Sequence, residues 1–316
     1  MAHVVIIGGG ITGLASAYEL EKHHVPYTLI EVKKRLGGSI ETVRCNDFLF
    51  DSAEMCHLLD DRAWMTDYLA SIGLAHAYFW NNDGHLIFHH GTGALVDALS
   101  AKLTAPMMHR MAVSTLGMLD NGRFGICMEN GLLLDARAVI VTAPAKHAER
   151  LFYTLTPHVS HLLQDYRYDT ITRLSMGYYQ RTKIHLDIPQ DSPITVVQHI
   201  TSGERLPSGG WIGQVALRMA EHDLPLDPIG EVAMALNWEI NPDADHIATW
   251  DTSDPCMWRD EAHISTMTTI QHRLPDGVAL AGSDYIPTNR PPRLDERLRM
   301  GIRASQRIMR YLQGQA

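Results

Sequence analysis

Gly8, Gly10 and Gly13, spaced G-x-G-x-x-G near the start of this 316-residue chain, are the residues whose types and spacing most clearly could do chemistry. In that spacing the first glycine permits a tight turn, the second lets the backbone approach a pyrophosphate, and the third lets a helix pack closely on a strand. Glu31 follows about 20 residues later, where a carboxylate can accept hydrogen bonds from ribose hydroxyls. The set points to a bound dinucleotide and by itself leaves NAD and FAD open. A second glycine pair, Gly37-Gly38, lies in VKKRLGGSIETVRCNDFLFDSAEM (32–55). A nicotinamide dehydrogenase has no obvious need of it, whereas a flavoprotein must also anchor a ribityl chain and an isoalloxazine ring.

Other chemistries find less support. No Ser-His-Asp or paired-carboxylate pattern competes. Cys45, Cys56, Cys127 and Cys256 are far apart with no C-x-x-C pair, which argues against a zinc site and a dense disulfide framework and fits a reducing cytoplasm. The 18 histidines are scattered, and neither His23-His24 nor His89-His90 has metal-ligand spacing, so no metal is expected. A net charge of −9 without a basic block argues against a nucleic-acid partner. No apolar run is long enough for a membrane span. The first twenty residues lack a basic n-region and carry the glycine loop, so they are expected to be mature structure rather than a signal peptide.

The elements that must position these residues follow from periodicity. Val4–Ile7 is an unbroken β-branched run, as a doubly buried strand requires; a helix starts after the glycines, and Tyr27–Ile30 is the next parallel strand. Trp64–Gly73 and Gly91–Leu103 have helical spacing, and Asn81-Asn82-Asp83-Gly84 marks a hairpin. Turn-punctuated strands are expected at Met111–Leu119, Phe124–Glu129 and Leu132–Ala136, with a separate buried strand at Ala138–Thr142. Between 170 and 250 the texture changes to longer strands (Thr170–Gln180, Ile194–Thr201, Gly210–Leu217, His246–Thr249) interrupted by a helix, Pro228–Trp238. Val278–Ala281 is a closing strand, and Leu294, Leu298, Ile302, Ser305, Met309 and Leu312 mark one face of a last helix. With 45% hydrophobic and 20% charged residues, this is the composition of a globular protein of about two domains. The expected class is α/β: a Rossmann-like FAD-binding domain (1–60, 91–155 and 256–316) with a second, α+β substrate domain (61–90 and 156–255) on a mixed or antiparallel sheet.

The segments VVIIGGGITGLASAYEL, IEVKKRLGGSIET, FLFDSAEM, GRFGICMENGLLLDARAVIVTAPA and ALAGSDY together resemble the flavin-containing amine oxidase superfamily. The resemblance implies roles by position. Gly8, Gly10 and Gly13 would approach the pyrophosphate, Glu31 the adenosine ribose, and Arg35 the adenosine side of FAD. Gly37 and Gly38 would admit the ribityl and phosphate backbone, Ala53 and Glu54 would lie near the flavin ring, and Val113 would frame adenine. Gly282 and Asp284 would supply the acidic ribityl contact. Ser39 departs from the Arg or Lys common after the glycine pair, and Arg290-Pro291-Pro292-Arg293 replaces a small apolar segment. No cysteine occupies the position that binds flavin covalently in monoamine oxidases, so FAD is expected to be non-covalent. The gap between the acidic FD segment and the next helix is short, which makes this a minimal member, nearest in size to renalase-like proteins, whose pattern YDTITRLSMGYY also resembles.

Flavin reduction places negative charge on the ring, so positive potential is wanted there; the last helix's N-terminus, with Arg290 or Arg293, is the expected source. Arg173, Tyr178, Tyr179 and Trp211 are the substrate-side candidates. Strand alternation sends Arg173 and Tyr179 to one face and Tyr178 to the other, so at most one tyrosine can face a flavin. Trp258 and His263 precede the closing strand, where relatives approach the ring. The expected activity is hydride transfer to FAD from a small amine, cyclic amine or dihydronicotinamide-like compound, with oxygen as electron acceptor. Oxidation of a larger ring such as a porphyrinogen, or a non-catalytic flavin module, are the alternatives.

Overall fold

Val4, Val5 and Ile6 are fully excluded from solvent in the computed structural model, which describes residues 2–180, 184–252 and 261–314. In chain order the elements are β1 (Ala2–Ile7), α1 (Ile11–Lys22), β2 (Tyr27–Glu31), β3 (Thr42–Cys45), β4 (Phe48–Asp51), α2 (Arg62–Ser71), β5 (Tyr78–Trp80) and β6 (Leu86–Phe88). Then come α3 (Gly93–Ser100), β7 (Met107–His109), β8 (Val113–Met118), β9 (Phe124–Met128), β10 (Leu133–Val141), α4 (Ala145–Phe152) and α5 (Pro157–Gln164). The rest are β11 (Ile171–Tyr178), β12 (Ile194–Ile200), β13 (Trp211–Arg218), α6 (Pro228–Ala235), β14 (Ala244–Trp250), α7 (Glu261–Arg273), β15 (Val278–Leu280) and α8 (Leu294–Leu312).

The chain divides into two units, one of Met1–Gly38, Val96–Arg167 and Pro255–Ala316, the other of Ser39–Leu95 and Tyr168–Asp254. The boundaries differ from those expected. Residues 39–60 belong to the second unit because β4 packs on its sheet: a Cβ at Gly177 of β11 would lie 2.7 Å from the Phe48 ring. Residues 156–167 belong to the first, where α5 packs on α4.

The first unit is built on a seven-stranded sheet, ordered β7-β2-β1-β10-β9-β8, with β15 also paired to β10. β1 lies between parallel β2 and parallel β10, Val5 opposite Thr28 on one side and Val139 on the other, which explains the unbroken apolar run. The two strands expected at 132–142 are one. Its first half pairs antiparallel with β9 and its second half parallel with β1, and the exposed Arg137, which interrupts the apolar pattern, sits where the partner changes. α8 packs on α1 through small residues rather than along the expected stripe: Leu294, Leu298, Gly301, Ala304, Ser305 and Ile308 are buried, while Ile302 and Met309 are not. A Cβ at Gly301 would lie 2.3 Å from the Thr12 carbonyl, and the Ser305 hydroxyl donates to Ser16 O at 2.8 Å. A reading by side-chain hydrophobicity selects large residues and so misses a contact made by small ones.

The second unit carries a four-stranded antiparallel sheet, β12-β13-β11-β14, and two hairpins, β3-β4 and β5-β6. One face of the sheet (Leu174, Met176, Tyr178, Trp211, Val215, Leu217) packs with Val232, Ala233 and Leu236 of the α6 region and with Trp238. The β3-β4 hairpin was not anticipated. Asn46, at φ +52°, makes its two-residue turn with Asp47, so Asn-Asp between apolar residues was the available signal.

Candidate functional site

In the first unit the two glycine pairs, 27 or more residues apart in sequence, come together. Gly37 N–H donates to Gly9 O at 2.8 Å, and Gly10 and Gly37 form a parallel bridge. A Cβ on Gly13 would lie 2.0 Å from Gly8 O, the close helix–strand approach that only glycine allows. Thr142 at the end of β10 ties the turn, its hydroxyl donating to Gly8 O at 2.9 Å. Gly10 is different: its added Cβ would meet only the Gly38 Cα, at 3.9 Å. Gly10 and Gly38 therefore set two side-chain-free stretches of backbone side by side at the start of α1, whose N-terminal amides carry positive partial charge.

Glu31 ends β2 against Gly9 of this loop and is 6% exposed. Its two carboxylate oxygens accept the Gly9 amide at 2.6 Å and the Lys33 amide at 2.7 Å, so the loop itself orients the acid. An ionised carboxylate has about four acceptor positions, and these bonds leave capacity for vicinal hydroxyls. Side-chain-free glycine backbone, helix N-terminus and fixed acid fit a dinucleotide's pyrophosphate and ribose. The half-buried Arg35 donates to Leu36 O at 3.2 Å, and the half-buried Val113 opens β8, opposite Met128.

Four residues expected on the cofactor side, Gly282, Asp284, Arg290 and Arg293, also make local structural contacts. The buried Asp284 carboxylate accepts the Ala145 amide at 2.8 Å, at the first turn of α4, and Gly282 precedes it at φ +147°. Arg290 is directed to Glu296, Nη1 to Oε2 at 2.8 Å, and the same carboxylate oxygen accepts the Arg293 amide at 2.8 Å as a helix cap. With buried Asp295 beside Glu296 in its first turn, α8 meets its N-terminal partial charge with its own carboxylates. His263 packs edge-on to Tyr166 and contacts Ile286 O at 3.3 Å; Trp258 and Cys256 lie outside the described residues.

In the second unit the sheet face opposite the apolar core bears a polar row, one residue per strand: Gln198, Gln214, Ser175 and His246. The row holds residues 51–56 as a strap. Gln214 Nε2 donates to Asp51 O at 2.8 Å, and Gln198 donates to Cys56 O at 2.9 Å. His246 Nε2 lies 3.0 Å from Ser52 Oγ, and Trp250 Nε1 donates to Ser52 O at 2.9 Å. Burial holds His246 and His199 below the ordinary histidine range, with Glu41 and Asp245 opposing this for His246 and Asp83 for His199. Both ends of the strap are buried, while Ala53 and Glu54 between them are half-buried. The strap thus carries Ala53 and Glu54, for which the resemblance implies a place near the flavin ring.

Behind the strap lies a buried ion pair absent from the sequence-based expectations, Asp51 with Arg205 at 2.9 Å. Asp51 also accepts Thr92 N–H at 3.0 Å, the Thr92 hydroxyl at 2.8 Å and the Thr42 hydroxyl at 2.5 Å, and His57 Nε2 lies 2.9 Å from the Thr92 hydroxyl. Of the substrate-side candidates, the structure separates one from the rest. Tyr178 stacks on Trp211 in the core, ring centroids 4.5 Å apart, and its hydroxyl donates to Glu239 O. Tyr179, past the strand end, is 41% exposed and donates to Asp47 at 2.9 Å. Arg173 lies on the strap face, 7% exposed, with Nη2 4.0 Å from Glu54 Oε1.

Comparison with known proteins gives two family matches: an NAD(P)-binding Rossmann-like domain at residues 6–70 and the flavin containing amine oxidoreductase family at 77–206. A coproporphyrinogen III oxidase of Bacillus subtilis is 36% identical over 88 residues, 26% of this chain and 18% of that protein. A flavin-containing amine oxidase A of Bos taurus is 48% identical over 44 residues, 14% of this chain and 8% of that one. The matched stretches thus span less than a fifth of these relatives. Over the whole fold, the structure of an Exiguobacterium sp. 255-15 protein assigned as a protoporphyrinogen oxidase superposes with a TM-score of 0.82 at 14% identity, covering 99% of both chains. Putrescine oxidase bound to putrescine gives 0.76 at 12% identity, covering 98% of this chain and 99% of that one.

Proposed function

We propose, from the premise that this chain belongs to the flavin-containing amine oxidase superfamily, that it is an FAD-dependent oxidoreductase taking a hydride from a small amine, cyclic amine or dihydronicotinamide-like compound. Oxygen is the proposed electron acceptor. The observation that carries the reading is the side-chain-free meeting of Gly10 with Gly38 at the start of α1, together with Glu31, whose two oxygens are fixed by Gly9 and Lys33.

FAD, when bound, supplies the two-electron acceptor; the chain supplies binding, orientation and exclusion of water. Gly8, Gly10, Gly13 and the first amides of α1 hold the pyrophosphate. Glu31 accepts from the ribose, with Arg35 and Val113 on the adenosine side, and Gly37 and Gly38 admit the chain towards the ring. Gly282 and Asp284 are retained as the acidic ribityl contact, and Arg290 or Arg293, at the start of α8, as the source of positive charge for the flavin ring. Ala53 and Glu54, on their strap, meet the ring side, and Arg173 orients substrate. Tyr178 and Trp211 support the sheet that carries Arg173, and Tyr179 closes its end. Hydride departure from carbon beside nitrogen needs alignment more than a strong base, so no dedicated base is assigned. Scattered cysteines support a cytoplasmic setting, and the short 55–90 segment supports the renalase-like branch. Among the described residues no helix is long and apolar enough to cross a membrane.

Oxidation of a porphyrinogen is the second reading, favoured by the match to coproporphyrinogen III oxidase. Anaerobic mixing of the yellow protein with amines, dihydronicotinamides and porphyrinogens separates the two. Rapid bleaching by an amine or dihydronicotinamide, with colour restored by air, is the expected result. Bleaching by porphyrinogens alone would transfer the assignment to the second reading, and colour persisting with every compound would refute both.

A further inference from the structure

We propose that the outward face of α8 docks a second copy of this chain, seating its arginines against the acidic segment around α6 in that copy's second unit. Neither FAD nor the identity of the substrate enters the argument.

The net charge of −9 conceals a division of charge between the two units. The second unit holds 21 Asp and Glu against 7 Lys and Arg, whereas the first holds 15 against 20. Electrostatic docking therefore pairs unlike units: two second units repel each other, and a first unit attracts a second.

α8 concentrates the positive charge. Leu298, Gly301, Ser305 and Ile308, at intervals of three and four, are its buried side. Arg299, Arg303, Gln306 and Arg310 repeat such intervals on the opposite side, a stripe about 16 Å long at about 1.5 Å per residue. Arg303, Gln306 and Arg310 are exposed, and Arg299 is half-buried. Glu19 of α1 is buried and taken by Gln306 at 3.0 Å and Lys22 at 2.9 Å, while Arg307, beside the stripe, donates to Gln271 O at 3.3 Å. Among the described residues the Arg303 and Arg310 side chains have no hydrogen bond or ion pair. They stand about 10 Å apart on a rigid helix.

The second unit supplies the complement. Residues 219–258 contain nine Asp and Glu and no Lys or Arg. Within them Glu231 of α6 and Glu239 just beyond it are exposed, and so are the apolar side chains of Leu226, Met234 and Ile240. An arginine stem covers apolar surface while its guanidinium reaches a nearby carboxylate, so the two faces match in both respects. Any polyanion that met α8 would be repelled by the second unit of the same chain, whereas a second copy offers the acidic face itself.

Sedimentation velocity on the purified protein over a concentration series tests the contact. At about 0.1 M salt, where charges act over about 10 Å, the chain is expected to associate; at about 1 M, where they act over about 3 Å, association weakens about tenfold or more. Arg303→Glu/Arg310→Glu and, separately, Glu231→Arg/Glu239→Arg each abolish it, because each gives both faces the same sign. An equimolar mixture of these two variants associates again, the reversed α8 of one meeting the reversed α6 segment of the other. Should a reversed chain fail to fold, as circular dichroism would show, the salt series on the parent and on Arg303→Gln/Arg310→Gln decides. A parent chain that stays monomeric at low salt, association unmoved by salt or by the α8 substitutions, or a mixture that stays monomeric overturns the proposal. So does a monomeric parent that binds phosphatidylserine vesicles through Arg303 and Arg310, which would give the face to a membrane.

Discussion

Replacing Asp51 with alanine strands the Arg205 guanidinium, whose side chain is 0% exposed beside a carboxylate 1% exposed. Removing one partner of such a pair costs about 3–5 kcal/mol, because the surviving charge is left buried. Arg205 would keep the Leu49 carbonyl, 3.1 Å from its Nε, as an uncharged acceptor. The converse variant, Arg205→Met, is milder. Asp51 would still accept from Thr92 N–H, the Thr92 hydroxyl and the Thr42 hydroxyl, three donors that stabilise an ionised carboxylate. Its cost is the lost charge-assisted contact, about 1.5–3 kcal/mol. Taking 2–4 °C per kcal/mol for a domain of this size, Asp51→Ala should melt roughly 6–20 °C below the parent, and Arg205→Met should fall between them. Thermal and urea unfolding followed by circular dichroism measure both. The reasoning fails if Arg205→Met is as destabilised as Asp51→Ala, or if Asp51→Ala loses less than about 1 kcal/mol.

Glu31→Ala removes the acceptor of both the Gly9 and Lys33 amides, and FAD retention on dialysis should fall about tenfold or more; unchanged retention would contradict the ribose assignment. His246 and His199 are held below their ordinary range by burial, so the unfolded chain binds protons more readily below about pH 6.5. Their contribution to stability is complete above that pH and is lost as pH falls, so the urea midpoint should drop between pH 7 and 5. His246→Asn should show a shallower drop, and an identical slope would count against the histidine's part in it. Burial pushes the Cys56 thiol up to about 12, so iodoacetamide at pH 8 should leave Cys56 unmodified in the native protein, as peptide mapping would reveal.

The nucleotide half of the fold was legible because its determinants are local. Val4–Ile7, the glycines and Glu31 sit within one βαβ unit, and their spacing encodes turn, helix start and strand end directly. Gly37 and Gly38 were recognisable as a feature, but their approach to Gly10 is a tertiary contact that no spacing reports. The strap was less accessible. Gln198, Gln214, Ser175 and His246 are isolated polar residues in four separate strands, and they form a row only once the register is known. Asp51 and Arg205 are 154 positions apart, with nothing in either neighbourhood to mark the pair. The face of α8 was misjudged at Ile302 and Met309 because Gly301 and Ser305 pack by being small. Alternation correctly separated Tyr178 from Arg173, and the register sends Tyr178 to the apolar face with Trp211.

Heat denaturation of the purified protein, with spectroscopy of the supernatant and the pellet, tests the central claim most directly. The account predicts a yellow protein that releases about one FAD per chain into the supernatant and leaves a colourless pellet, as a non-covalent flavoprotein must. A colourless protein that takes up no FAD on incubation with the cofactor would contradict it.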